Sequence, residues 1–458
     1  MRKIFDFFTK PNFSLIAIIL VLITIVYTNY NTRIWEKDNR VLIWDIKEYY
    51  VYLPATFIYH DITLKFKETN PDFFMYRIYG KKLENGNRVT KMTMGLSYLY
   101  APFFFIAHAY SLLSGEPANG YTWIYKYALQ FSSLLYLILG LIVLRKFLKY
   151  YFKDLVVSIT IIAIFFGTNL LYYSTIEATM SHTYSFFLFS CFLLLTMFWH
   201  KKQKILHAVL LGLVLGILSL TRPTNGIIVV LFIFWNVQNL TDIKHKFFLF
   251  LNKYPHLLLI MLCSLIAWIP QLLYWKEVTG SWIYYSYSDE GFFFNNPAII
   301  KGMFSFRKGW LIYSPIIIFS LVGIPFLYKK MKGLCLPILI FLVLNLYIVF
   351  SWWTWWYGGS FGQRALIESY SILAIPFAAI VEKIFHSRII PRVLFSSILT
   401  IFFVLGLWNN IKYYYGSIHW DSMTKKAYFD SFWRAKPSGS FHEKLEKPDY
   451  AAAKKGIR

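Results

Sequence analysis

Long apolar runs recur along the chain, separated by short stretches that hold most of its lysine and arginine. Runs of this length cross hydrocarbon when helical, because a helix satisfies every backbone polar group internally. Taken in order they predict about eleven transmembrane helices, at Phe13–Tyr27, Trp123–Leu144, Leu155–Tyr172, Tyr184–Trp199, Ile205–Leu220, Gly226–Trp235, His256–Trp275, Leu311–Tyr328, Leu334–Phe350, Ala365–Val381 and Val393–Trp408. The basic stretches set their directions, since Lys and Arg accumulate on the inner side of a membrane. Arg2, Lys3 and Lys10 place the N-terminus inside, and Arg145, Lys146, Lys149 and Lys153 end the second span on the same side. A further apolar segment, Met92–Leu113, would turn that second cluster outward if it crossed. It is therefore expected to lie in, or dip into, the outer leaflet.

The pattern gives an all-α polytopic membrane protein. Residues 1–411 form the transmembrane unit, 29–122 its first outer loop with juxtamembrane helices, and 412–458 a short polar tail on the outer face. The opening residues read as an uncleaved signal anchor of the cytoplasmic membrane, because no small-residue cleavage site follows the first apolar run. Four outer pieces hold enough polar groups for chemistry: the first loop, a loop over about Lys276–Lys308, the Ser351–Arg364 loop and the tail.

Composition narrows the class. The 458 residues are 57% hydrophobic and only 15% charged, against about 25% charged in soluble domains. A net charge of +24 would suit nucleic acid, yet the excess sits in short connectors and no basic domain stands clear of the membrane, so nucleic acid is not expected as a partner. Cys191, Cys263 and Cys335 fall far apart inside apolar runs and read as buried free thiols. The inner connectors contain no Gly-rich phosphate loop and leave no room for a nucleotide-binding domain.

The outer pieces carry the candidate residues, each with two readings. Asp45, Glu48, Tyr49 and Tyr52 are spaced i, i+3, i+4, i+7 and share one face if helical. Their carboxylates suit a general base acting on a hydroxyl, or a solvated interfacial helix with Lys47 as partner. Lys91, just before Met92–Leu113, suits a lipid phosphate at headgroup depth or ordinary snorkelling. Glu177 and His182 sit at one outer turn, as a second carboxylate and a hydrogen-bonding group or as a satisfied polar turn; one His and one Glu do not make a metal site. Arg222, in Thr-Arg-Pro-Thr-Asn, sets a strong positive charge on an outer turn against the charge bias. It suits a phosphate partner or a clamp on backbone carbonyls. Asp289 and Glu290 lie among tyrosines, as acids and aromatic plates for sugar hydroxyls or as a solvated loop. In Trp352-Trp-Thr-Trp-Trp-Tyr-Gly-Gly-Ser-Phe-Gly-Gln-Arg364, Trp356 and Tyr357 suit an interfacial aromatic belt. Gly358, Gly359 and Gly362 permit close backbone approach, and Arg364 opens the next span, where a helix start favours anions.

With these pieces in order, the chain resembles the GT-C superfamily of membrane glycosyltransferases, on the side of the protein O-mannosyltransferases and lipid A aminoarabinose transferases. The family's first outer loop carries an acidic motif, roughly Asp-Glu-x-x-Tyr-x-x-x-Ala; here Asp45-Ile-Lys-Glu48-Tyr49-Tyr50 precedes Leu53-Pro54-Ala55. A Lys- or His-Pro-Pro-Leu segment then opens a helix along the outer leaflet, a place taken here by Lys91-Met-Thr-Met. Glu177 stands where a further acid is common. The acids are not adjacent here, the Pro-Pro is absent, and Glu replaces the usual Asp at the third position.

The resemblance implies a GT-C-like helical bundle and a sugar donor linked to polyprenyl phosphate. It implies an acceptor hydroxyl on a glycan, lipid or protein, within membrane lipid, and no cofactor; a divalent metal is not predicted. It implies a single inverting displacement with Asp45 as base and Glu48 or Glu177 orienting the acceptor or sugar. Lys91, Arg222 and Arg364 would meet the leaving phosphate, and Tyr49, Tyr52, His182, Asp289, Glu290, Trp356, Tyr357, Gly358 and Gly359 would bind substrate. A surface-polysaccharide polymerase or ligase is the second reading. A transporter or flippase is the third, disfavoured because the spans show few charges and no paired halves.

Overall fold

In the computed structural model, residues 12–458 are described; the basic cluster at Arg2, Lys3 and Lys10 lies outside the described residues. The principal helices in chain order are α1 (Phe13–Thr32), α2 (Gly95–Ser114), α3 (Trp123–Leu148), α4 (Asp154–Phe166), α5 (Ser181–Lys201), α6 (Ile205–Thr221), α7 (Leu240–Asn252), α8 (Tyr254–Thr279), α9 (Ile317–Lys330), α10 (Lys332–Ser351), α11 (Tyr370–Phe385) and α12 (Ile389–Tyr415). Strand structure among the described residues is confined to one hairpin in the first loop, Lys81–Lys82 paired with Arg88–Val89. This is a polytopic, all-helical membrane protein.

Among the described residues eight helices are long and apolar enough to cross a bilayer. Seven coincide with expected spans, and the eighth is α2. The other four expected spans form shorter helices, for local reasons. Leu155–Tyr172 is interrupted after Phe166, at Gly167, and resumes as Leu170–Thr175. Leu311–Tyr328 breaks around Pro315 into Trp310–Tyr313 and α9. Gly226–Trp235 becomes a 3-10 turn from Pro223 followed by the five-residue helix Val229–Ile233, and α6 stops at Thr221 before Arg222 and Pro223. The connector bearing Lys244 and Lys246 is the helix α7, capped by the Asn239 side chain accepting from the Asp242 N–H, and it has no buried residue.

Contacts at the helix ends sort the bundle into two ends. Ser14 at the start of α1 donates its N–H to Asp154 at 3.0 Å, and Lys149 pairs with Asp154 at 3.0 Å. The start of α1, the end of α3 and the start of α4 therefore meet at one end, and the first loop emerges at the other. Both ends of α2 stay at that second end. At its start the Met94 N–H donates to Gln271 in the last turns of α8 at 2.8 Å. Past its finish, Tyr59 of the first loop donates to the Asn119 carbonyl at 2.9 Å. Between them Ser97 donates to the Tyr49 carbonyl, and His108 bonds Tyr125 in the first turn of α3. The helix thus has both ends at one end of the bundle.

Side-chain shape sets the helix spacing. The most extensive pairing among the described residues is α6 on α8, where Gly212 and Gly216 sit one turn apart on one face. A Cβ on Gly212 would come within 2.5 Å of the Ile260 carbonyl oxygen, and one on Gly216 within 2.8 Å of the Ser264 carbonyl oxygen. In a membrane, where lipid is as apolar as leucine, such small-residue contacts are what let backbones pack. Gly216→Val is expected to lower stability by roughly 1–3 kcal/mol through overpacking, read as a fall in the thermal unfolding midpoint of the detergent-solubilised protein. An unchanged midpoint would mean that α6 and α8 are not held this closely.

Candidate functional site

The first loop turns toward the bundle through Trp44, whose φ of 46° is unusual for a residue with a side chain. The next residues form two short helices, Asp45–Tyr50 and Tyr52–Phe57, hinged at Val51. A cavity of about 350 Å³ opens beside the first of these. Its wall includes Asp45, Tyr49, Lys91, His182, Arg222, Glu290, Tyr357, Gly358 and Arg364. Nine residues singled out in the sequence, from six separate segments, thus face one space.

Each cation in this wall meets a carboxylate. Arg364 lies 3.4 Å from Asp45, Arg222 lies 3.0 Å from Glu368, and Lys91 lies 2.6 Å from Glu290. Glu290 also accepts from the Trp353 indole N–H at 3.1 Å. Glu368, only 2% exposed, bonds His182 Nδ1 at 3.1 Å through the same oxygen that meets Arg222. The other Glu368 oxygen has no partner among the described residues.

Several candidates stand outside the lining and support it. Glu48 accepts the Lys91 N–H at 2.8 Å, and Tyr52 donates to the Met92 carbonyl at 2.7 Å. Both fix the 90–92 segment rather than face the cavity. Glu177 is met by the Tyr172 hydroxyl at 3.5 Å, and burial raises its pKa against the opposing fields of Arg364 and Arg40. Trp356 packs on Tyr450, and Gly359 lies against the Trp420 ring. Asp289 points away from the site and pairs with Lys454 at 2.7 Å.

The Gly-rich turn is held from below. Tyr357 and Gly358 have φ of 55° and 59°, and Gly362 has 55°, a backbone region that glycine enters without strain. The Phe361 N–H donates to the Tyr173 hydroxyl at 2.9 Å, Asn169 donates to the Phe361 carbonyl at 3.0 Å, and the buried Lys308 ammonium donates to the Ser360 and Trp420 carbonyls. This fixes Arg364 at the start of the 3-10 segment Arg364–Ser369 that leads into α11.

Sequence reasoning missed Glu368, Asn345 and Tyr450 in and around this wall. Glu368 had a readable signal, an acid inside an otherwise uncharged apolar run, and such residues are costly unless they have a partner. Tyr450 had none: its place depends on the tail folding back over the site. Among the described residues no three His, Cys, Asp or Glu side chains converge as a metal site requires.

No protein-family model matches the sequence, and no curated protein matches it. Solved structures match its fold. The archaeal oligosaccharyltransferase AglB from Archaeoglobus fulgidus, in complex with an inhibitory peptide and a dolichol-phosphate, aligns with a TM-score of 0.52 at 13% identity, over 96% of this chain and 61% of that one. The apo form of the A. fulgidus oligosaccharyltransferase aligns with a TM-score of 0.50 at 14% identity, over 95% and 59%. The chain spans about three-fifths of the length of these proteins. At this identity the likeness is one of fold alone, shared with the archaeal oligosaccharyltransferase.

Burial gives Glu48 a testable signature. It raises the carboxyl to about 7, aided by the charge of Asp45 and opposed by the Lys91 N–H. The folded state then binds a proton more tightly than the unfolded state, whose carboxyl titrates near 4.3. The stability that protonated Glu48 contributes is complete below about 4.3 and is lost as pH rises toward 7. Glu48→Gln, which keeps an acceptor for Lys91, should therefore gain stability relative to the parent between pH 5 and pH 8, by on the order of 2–3 kcal/mol. Thermal unfolding at the two pH values measures this, and a constant difference would show that Glu48 is not buried as described.

Proposed function

We propose that the chain is a membrane glycosyltransferase that moves a sugar from a polyprenyl-phosphate donor to an acceptor hydroxyl at the outer face of the cytoplasmic membrane. The observation that carries this is the Asp45–Arg364 pair, 3.4 Å apart and facing one cavity with Arg222. Transfer from such a donor needs a group to take a proton from the acceptor and cations to meet the departing phosphate, and the pair supplies one of each. The dolichol-phosphate bound to the archaeal structure of the same fold supports a lipid-linked donor.

In this reading the donor phosphate engages Arg364 and Arg222, whose planar donor arrays suit its oxygens. Arg364 then turns from Asp45 to the phosphate. Asp45, relieved of its partner, accepts the proton of the acceptor hydroxyl as that oxygen attacks the anomeric carbon. The new carbon–oxygen bond forms as the bond to the phosphate breaks on the opposite face, with inversion. The charge left on the phosphate is stabilised by the two guanidinium groups in a cleft of low dielectric. Tyr49, His182 and Tyr357 wall the sugar, Glu368 orients His182 and Arg222, and Glu290 holds Lys91 at the mouth. Glu48 and Glu177 act from behind through the segments they fix.

Asp45→Asn is expected to cut transfer by about 10²–10⁴-fold, the usual contribution of a general base, with the protein still folded in the membrane. The assay is release of sugar from a polyprenyl-phosphate donor by the purified protein. Near-normal release by the variant would remove Asp45 from the mechanism.

A further inference from the structure

A second cavity, of about 460 Å³, opens at the same end of the bundle. The helix Asp45–Tyr50 stands between the two. Asp45 and Tyr49 line the first cavity, and Lys47, two residues on and turned to the opposite side, lines the second. The rest of the second wall comes from the segment after α1, the turn at residues 73–77, and residues 119–126 leading into α3. It sits at the ends of two membrane-length helices, and nothing in the transfer chemistry above uses it.

Its charges differ in kind from those of the first cavity. Lys47, Arg77 and Lys126 all line it, and among the described residues none is paired with a carboxylate. Each donates instead to a main-chain carbonyl: Lys47 to Tyr76, Arg77 to Phe73, and Lys126 to Lys37 at 3.0 Å. A carbonyl dipole offsets only part of a unit charge, so three such groups around one concavity leave a net attraction for anions. Glu36 and Asp38 share the wall, and Glu36 is taken by Arg33 at 3.7 Å. The wall also contains the hydroxyls of Tyr121 and Thr122, buried and without a partner among the described residues. Buried polar groups are rarely left so unless a ligand or water completes them.

We propose that this second cavity binds a phosphate ester, carried by a saccharide or by a lipid headgroup, with Lys47, Arg77 and Lys126 as its cradle. Three cations converging from different segments suit an anion with several equivalent oxygens better than a planar carboxylate, for which one arginine fork is enough. The position at the ends of α1 and α3 puts the site where lipid phosphates and the sugars attached to them are at hand. Asp38 and the aromatic rings of Tyr76 and Trp123 supply an acceptor and flat faces for the rest of such a ligand.

The test uses the full chain in dodecyl maltoside, titrated calorimetrically with glucose 6-phosphate, with glucose as the neutral control. Saturable binding of glucose 6-phosphate alone, weakened at least tenfold by Lys47→Gln and further by Lys47→Gln with Arg77→Gln, but kept by Arg222→Gln, supports a saccharide phosphate. Should glucose 6-phosphate fail to bind, native mass spectrometry after adding dioleoylphosphatidylglycerol is decisive. A retained lipid that is lost in Lys47→Gln supports the headgroup source. Lys47 is half-buried and its replacement leaves the Arg77–Phe73 contact intact, so the single variant guards against a folding failure of the double one. The proposal is overturned if neither probe binds, or if binding is lost with Arg222→Gln and kept with Lys47→Gln. Asp45→Asn should leave this binding unchanged, so failure of the transfer reading and failure of this one are separable.

Discussion

A guanidinium or ammonium buried at the end of an apolar bundle needs a carboxylate or a set of carbonyl acceptors, because leaving one without either costs several kcal/mol. At the first cavity that need is met three times, always across the chain. Arg364 and Asp45 are 319 residues apart, Lys91 and Glu290 are 199 apart, and Arg222 and Glu368 are 146 apart. The pairs therefore do more than neutralise charge. They bring the first loop, the Thr-Arg-Pro-Thr-Asn turn, the loop before α9 and the Gly-rich turn to one place. The same constraint makes the contacts exchangeable. Removing a partner is expensive, whereas replacing a carboxylate by a phosphate leaves the cation compensated throughout. A site built this way is held together when empty and is able to hand its cations to an anionic ligand.

Behind these pairs stands a layer that fixes their backbone. Glu48 and Tyr52 hold residues 90–92, and Lys308, Asn169 and Tyr173 hold the Gly-rich turn. Residues 449–458 complete the wall. Arg458 donates to the carbonyls of Phe350, Ser351 and Trp352 where α10 ends, satisfying oxygens that a helix leaves free at its last turn. Lys454 pairs with Asp289 on the outer side of the neighbouring loop, and Tyr450 reaches the cavity. The segment that the sequence presents as a short polar tail thus lines the cavity through Tyr450 and braces the neighbouring loop.

Much of this was legible in the sequence, for reasons that can be given residue by residue. Seven of the expected spans, from Phe13–Tyr27 to Val393–Trp408, coincide with helices of membrane length. The gathering of Asp45, Arg222 and Arg364 followed from their being the charges left on loops of the same side. What was not legible depended on local backbone events. The spacing of Asp45, Glu48, Tyr49 and Tyr52 placed them on one face of one helix, but a hinge at Val51 puts Tyr52 on a second helix, and both it and Glu48 bond the 90–92 segment. Spans that read as continuous apolar runs are broken around Gly167 and Pro315, where pattern alone carries no phase. Glu368 is hidden in the sequence because one acid hardly alters the apolar character of a long run; its meaning lies in its partners, Arg222 and His182.

The short helix Asp45–Tyr50 emerges as the partition on which both cavities depend. An α-helix with its side chains is only about 10–12 Å across, and this one is six residues long. Groups on its two sides cannot be moved independently. Its entry is set by the strained Trp44, and its far end is tied by the Tyr50 hydroxyl to the Gly120 carbonyl and by Ser97 to the Tyr49 carbonyl. Any ligand that draws Lys47 outward therefore rotates Asp45 relative to Arg364, unless those ties hold the helix rigid. If the helix does shift, linkage requires the effect to run both ways, so that an anion meeting Arg364 alters the second cavity by the same free energy. The Tyr50 and Ser97 hydrogen bonds at the far end of so short an element oppose that motion and favour keeping Asp45 aimed at the first cavity.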